Sequence, residues 1–81
     1  MFYVYFLRSL KNNDLYIGSC EDVSVRFARH NQGRIKSTKG YRPWILLGFE
    51  EFNTRAEAMQ KEKLYKDKDQ RKQLKERFKS Q

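Results

Sequence analysis

Apolar and polar positions along the 81-residue chain alternate in short stretches and recur at helical spacing in others. From Phe2 to Leu7 the run FYVYFL places Phe2, Val4 and Phe6 on one face and Tyr3, Tyr5 and Leu7 on the other. A strand that is apolar on both sides belongs at the centre of a sheet. The polar SLKNND predicts a turn, and LYIGS after it a second short strand, so the two make an antiparallel hairpin with Tyr5 and Tyr16 on neighbouring strands. Asp22 or Glu21 can cap a helix that runs to about Asn31 and stops before Gly33, with Val23, Phe27 and Ala28 toward the sheet. QGRIKSTKGYRP reads as a loop and WILLGFEEF as a third strand. Thr54 and Glu57, in the T-x-x-E pattern of a capping box, open a second helix through RAEAMQKEKLYK. In DKDQRKQLKERFKSQ only Leu74 and Phe78 lie at helical spacing, which leaves two forms, a final helix docked by those side chains or a segment frayed in solvent. There is no internal repeat and no linker, so one domain is expected over residues 1–81, with a core at 1–66 and a basic C-terminal segment at 67–81.

A domain this small buries only about 60 to 65% of the surface its unfolded chain exposes. With 38% hydrophobic residues and 15% aromatics, the core must be carried by large rings. Eighteen Lys and Arg against ten Asp and Glu give a net charge of +8, which favours a polyanionic partner, nucleic acid or an anionic membrane surface. The stretch from Lys61 onward holds nine basic and four acidic side chains, which a solvated basic helix would also explain. Cys20 is the one cysteine, excluding an intramolecular disulfide and a multi-cysteine zinc site and fitting a reducing, cytoplasmic setting; it is read as a small half-buried filler. MFYVYFL lacks the length and basic flank of a signal peptide, and no stretch approaches the roughly 20 apolar residues of a membrane span, so no membrane association is expected.

Three features are unneeded for packing. Arg26 and His30 lie one helical turn apart on a face bordered by Val23 and Phe27. Alone they read as a surface pair, but their helix directly follows the Tyr16 strand, which brings both near its end. Glu62 stands in the stripe of Ala58, Met59 and Tyr65, where spacing calls for an apolar residue. Either it is a boundary glutamate bonded to Arg or Tyr, or it is a carboxylate held for a hard cation that keeps several waters. Finally, the loop interleaves Arg34, Lys36, Lys39 and Arg42 with Ser37, Thr38 and Tyr41, a mixture suited to phosphate contacts and to stacking on a base. No P-loop, dinucleotide fingerprint, Ser/His/Asp set or Cys/His metal cluster is present, so no small-molecule cofactor is expected.

Taken in order, YVY at Tyr3 to Tyr5, YIG at Tyr16 to Gly18, Arg26, HN at His30 and Asn31, and Glu62 in AEAMQKEKLYK resemble the GIY-YIG endonuclease superfamily. STKGYRPW and FNTRAEAMQKEKLYK look closest to its small stand-alone, single-domain bacterial branch, and the likeness covers nearly the whole chain. The resemblance implies an α+β fold, a three-stranded antiparallel sheet flanked by helices in the order ββαβα with a C-terminal helix optional. It also implies a phosphodiesterase using one Mg²⁺ or Mn²⁺ and acting on nucleic acid, DNA before RNA, with no oligomeric state specified. By position Tyr5 and Tyr16 would be the motif tyrosines, Arg26 the catalytic arginine, His30 a position shared by His and Tyr, and Glu62 the metal ligand. Tyr3 replaces the first glycine of the family motif. A phenol with a pKa near 10 is only about 0.1% ionised at pH 7, so Tyr16 as general base is expected to act with His30 as a coupled pair. Rival expectations are a nucleic-acid-binding module that keeps the fold without cleaving, and a structural RNA-associated protein, which leaves Glu62 unexplained.

Overall fold

The computed structural model describes residues 1–79; Ser80 and Gln81, the end of the expected 67–81 segment, lie outside the described residues. The elements run β1 (Phe2–Ser9), β2 (Leu15–Cys20), α1 (Val23–Asn31), β3 (Trp44–Phe52), α2 (Arg55–Tyr65) and α3 (Lys68–Arg77), with a 3₁₀ turn at Lys39–Tyr41 before β3. The sheet is antiparallel in the order β2-β1-β3, so the doubly apolar β1 is central as its pattern requires. Its two faces feed two cores. Val4, Phe6, Leu15 and Ile17 pack with Ala58, Tyr65, Leu74 and Phe78 of the α2 and α3 side. Tyr5, Leu7 and Trp44 pack with Tyr16, Cys20, Val23 and Phe27 on the α1 side.

The helix signals hold with two changes. Asp22 caps α1 by accepting from the Val25 N–H, and Thr54 caps α2 by accepting from the Glu57 N–H at 3.2 Å. The Thr54 hydroxyl donates in turn to the Glu57 carboxylate at 3.0 Å. Ala28, expected toward the sheet, is exposed, because the Val23–Phe27 edge already faces it and Ala28 is rotated onward by about 100°. Of the supposed α2 stripe, Ala58 and Tyr65 are buried but Met59 is 56% exposed, so the inward row runs Ala58–Glu62–Tyr65. The last segment takes the docked form: Leu74 and Phe78 are only 4% and 6% exposed. Arg71 fastens α3 to the start of β2 through the Asp14 carboxylate and the Leu15 carbonyl.

Candidate active site

Tyr5 and Tyr16 reach the α1 side from adjacent strands, and since Tyr5 pairs with Gly18 and Leu7 with Tyr16 they are diagonal neighbours, with ring centroids 6.2 Å apart. A Cβ on Gly18 would stand 2.6 Å from the Tyr5 hydroxyl oxygen and 2.7 Å from its Cζ. The bare backbone at Gly18 is therefore what lets the Tyr5 phenol lie across β2 and reach α1. There its hydroxyl meets His30 Nε2 at 2.8 Å, while His30 Nδ1 meets Thr38 Oγ1 at 2.8 Å. His30 and Thr38 are both buried, at 0% and 1% exposure.

This arrangement corrects two readings. Thr38, grouped above with phosphate-contacting residues, cannot present its hydroxyl to a phosphate, because the loop turns it inward onto His30. Nor is His30 a proton acceptor for Tyr16: both ring nitrogens are engaged elsewhere, and Tyr16 offers His30 only a ring edge, with centroids 4.9 Å apart at 62°. Burial, reinforced by the nearby Arg26 charge, pulls the His30 pKa down to about 4, so the ring is neutral at neutral pH.

Arg26 sits beside the Tyr5 phenol, and its Nε is buried with no hydrogen-bond partner among the described residues. Desolvation by burial raises the Tyr5 pKa despite that cation, which keeps the phenol protonated. Tyr16 is only half-buried and is the phenol that solvent reaches.

Glu62 lies on the helix packed against the other sheet face, and β2 is the outer strand between. The two sides meet around that free edge. A cleft of about 370 Å³ is lined by Ser19, Cys20, Arg26 and Arg29, and a neighbouring one of about 260 Å³ by Ser19, Arg55, Ala58 and Met59. Ser19 belongs to both and lies beside Glu62, where its hydroxyl helps to hold the carboxyl pKa down. Burial pushes the Glu62 carboxyl up, but hydrogen bonds from Lys66 and Ser19 and the Lys66 charge outweigh it and leave the pKa lowered. Neither reading of Glu62 foresaw that partner: the carboxylate bonds Lys66 Nζ at 2.8 Å, one turn on, rather than Arg or Tyr.

Among the loop residues assigned to nucleic acid, Arg34, Lys36, Ser37, Lys39, Tyr41 and Arg42 are exposed. Arg42 is anchored through Nε–H to the Lys39 carbonyl at 2.8 Å. Sequence reasoning missed the frame beneath them. The Asn31 side chain donates to the Trp44 carbonyl at 3.0 Å and accepts from the Trp44 N–H at 2.7 Å, and Trp44 Nε1–H donates to the Thr38 carbonyl at 3.0 Å. A buried-Trp partner after the loop was the available signal, since an indole N–H in a core requires an acceptor nearby.

Fold and site together define a small α+β domain that gathers two phenols, an imidazole and a guanidinium on the α1 side of a three-stranded sheet, with a carboxylate on the helix of the other face. A sequence profile described as the GIY-YIG catalytic domain matches residues 1–77, and the chain belongs to that nuclease-domain family. It is similar to the UPF0213 protein SH2523 of Staphylococcus haemolyticus, 43% identical over 61 residues, covering 74% of this chain and 73% of that one. It is also similar to the UPF0213 protein YazA of Bacillus subtilis, 38% identical over 63 residues, 76% of this chain and 64% of the other. The solution NMR structure of the UPF0213 protein BH0048 from Bacillus halodurans superposes with a TM-score of 0.56 at 33% identity, covering 91% of this chain and 82% of that one.

Proposed function

We propose that the chain is a divalent-metal-dependent endonuclease that hydrolyses phosphodiester bonds in DNA. The observation that carries this reading is the Arg26 guanidinium, beside the Tyr5 phenol and without an ion pair among the described residues, lining a cleft that also holds Ser19, the neighbour of Glu62. A guanidinium lining a cleft without an ion pair suits a phosphate, whose oxygens its outer N–H groups can bond in pairs. Tyr5, hydrogen-bonded to His30 and kept protonated by burial, flanks the guanidinium as a neutral wall of the site. Tyr16, half-exposed at the free edge, is the phenol assigned to the attacking water: it orients the water and, once its own proton has passed to solvent, takes the water's proton as the new P–O bond forms, while the bond to the leaving oxygen breaks and that oxygen is protonated from solvent.

Glu62 fits a hard cation. Its carboxylate is ionised and half-buried, and its partner Lys66 is an exposed side chain free to swing away. Among the described residues no three His, Cys, Asp or Glu side chains converge, so an ion there would keep most of its waters, which Mg²⁺ or Mn²⁺ does. Glu62 would be the residue that holds such an ion, which would supply Lewis-acid charge to the negative charge that develops on cleavage.

A second reading, a module that binds nucleic acid without cleaving it, is favoured by the Glu62–Lys66 pair, which already balances the carboxylate. Labelled DNA and RNA oligonucleotides, single-stranded, duplex and branched, incubated with Mg²⁺, Mn²⁺ or EDTA separate the two. Cleavage of DNA that EDTA abolishes supports the nuclease; binding with no cleavage under either ion supports the module.

A further inference from the structure

The basic loop and the site are joined by one buried residue, Thr38. Its hydroxyl lies 2.8 Å from His30 Nδ1 and 3.4 Å from the Ile35 carbonyl oxygen, and its own carbonyl accepts from Trp44 Nε1–H at 3.0 Å. The row Tyr5, His30, Thr38, Ile35 ends on a carbonyl, which only accepts, and begins at a buried hydroxyl lying beside the Arg26 cation. Tyr5 is only 1% exposed, and among the described residues its hydroxyl bonds His30 Nε2, so its proton goes there and Nε2 must be the bare nitrogen. The ring proton therefore sits on Nδ1 and is donated to Thr38 Oγ1, whose own hydrogen turns to the Ile35 carbonyl. In the opposite tautomer Nε2–H would point at the Tyr5 oxygen, and the Tyr5 hydrogen would have no acceptor among the described residues. In that buried setting an unmade hydrogen bond is costly.

We propose that Thr38 is a positioning residue that holds His30 as the Nδ1–H tautomer, and through it keeps the Tyr5 hydroxyl proton on the His30 side, away from the Arg26 cation. The loop that carries the exposed cations is thereby also the device that orients the proton chain of the site. The consequence for cleavage rests on the nuclease reading above; the tautomer does not.

The chain contains one histidine and one tryptophan, so both can be followed without ambiguity. In ¹⁵N-labelled protein at neutral pH, the nitrogen spectrum of the His30 ring should show the Nδ1–H form, and Thr38→Ser should keep it. Thr38→Val, equal in volume but without an acceptor, should let the Nε2–H form appear while Trp44 fluorescence reports an intact fold. Turnover on a cleaved oligonucleotide should fall roughly 10- to 100-fold, the usual loss when the partner orienting a functional imidazole is removed, with unchanged affinity and recovery in Thr38→Ser. A wild-type ring in the Nε2–H form overturns the proposal, as does a folded Thr38→Val that stays wholly Nδ1–H. Should Thr38→Val not fold, the wild-type tautomer decides alone. Absence of cleavage in the wild type would sink the nuclease reading while leaving the ring measurement decisive for Thr38.

Discussion

At the scale of single residues, the site is built from close approaches that only particular side chains permit. Gly18 admits the Tyr5 phenol, and Gly18→Ala would drive a methyl to within 2.6 Å of its oxygen. The variant should lose about 1–3 kcal/mol of stability, the usual range for overpacking, and the Tyr5–His30 bond with it; an unchanged denaturation midpoint would contradict the packing described. His30 has its own pH signature. Its folded pKa of about 4 lies below the unfolded value of 6.5, so the unfolded chain binds the extra proton between them. The stability from burying a neutral ring is thus complete above about 6.5 and is lost as pH falls toward 4. NMR titration of this one imidazole should show it still neutral midway between those values; a midpoint near 6.5 would mean the ring is not enclosed as observed.

Elements were far more legible in the sequence than the contacts between them. Strand β1 declared its central place through apolar residues on both faces, and Asp22 and Thr54 marked the starts of α1 and α2, because those signals are local and periodic. Arg26, His30 and Glu62 stood out by their spacing and Tyr5 and Tyr16 by their neighbouring strands, but only the ordered resemblance joined the five into one set. What stayed hidden was non-periodic: Thr38 turning inward from a polar loop, and His30 choosing Tyr5 over Tyr16, are decided by the path of twelve residues between α1 and β3. Helix α3 was ambiguous for a related reason, since two apolar residues can dock a helix only if a cavity awaits them. The cavity exists, bounded by Phe6 at 5.4 Å between ring centroids. Phe78→Ala should therefore cost about 3–5 kcal/mol. A domain of this length has only about 4–12 kcal/mol in total, so the melting transition should fall steeply or vanish, and a shift of a degree or two would remove α3 from the core.

Across the whole molecule, a net charge of +8 is laid around a site that needs only one cation of its own. The exposed Lys36 and Lys39 are expected to set affinity rather than chemistry. Replacing both by Gln should weaken nucleic-acid binding and flatten the salt dependence of log K by about two, close to one phosphate for each lysine. An unchanged slope would take the loop off the binding surface. Glu62 bears most directly on the claim that this surface serves metal-dependent cleavage. Glu62→Gln keeps volume and hydrogen-bonding capacity but removes the charge a hard cation requires, and breaking the exposed pair with Lys66 should cost only about 0.3–0.5 kcal/mol. The decisive measurement is Mg²⁺-dependent cleavage of a DNA substrate by Glu62→Gln beside the unaltered protein. The account predicts a folded variant with near-normal DNA binding and cleavage lower by orders of magnitude at every Mg²⁺ concentration; a destabilised variant that still cleaves at the normal rate would contradict it.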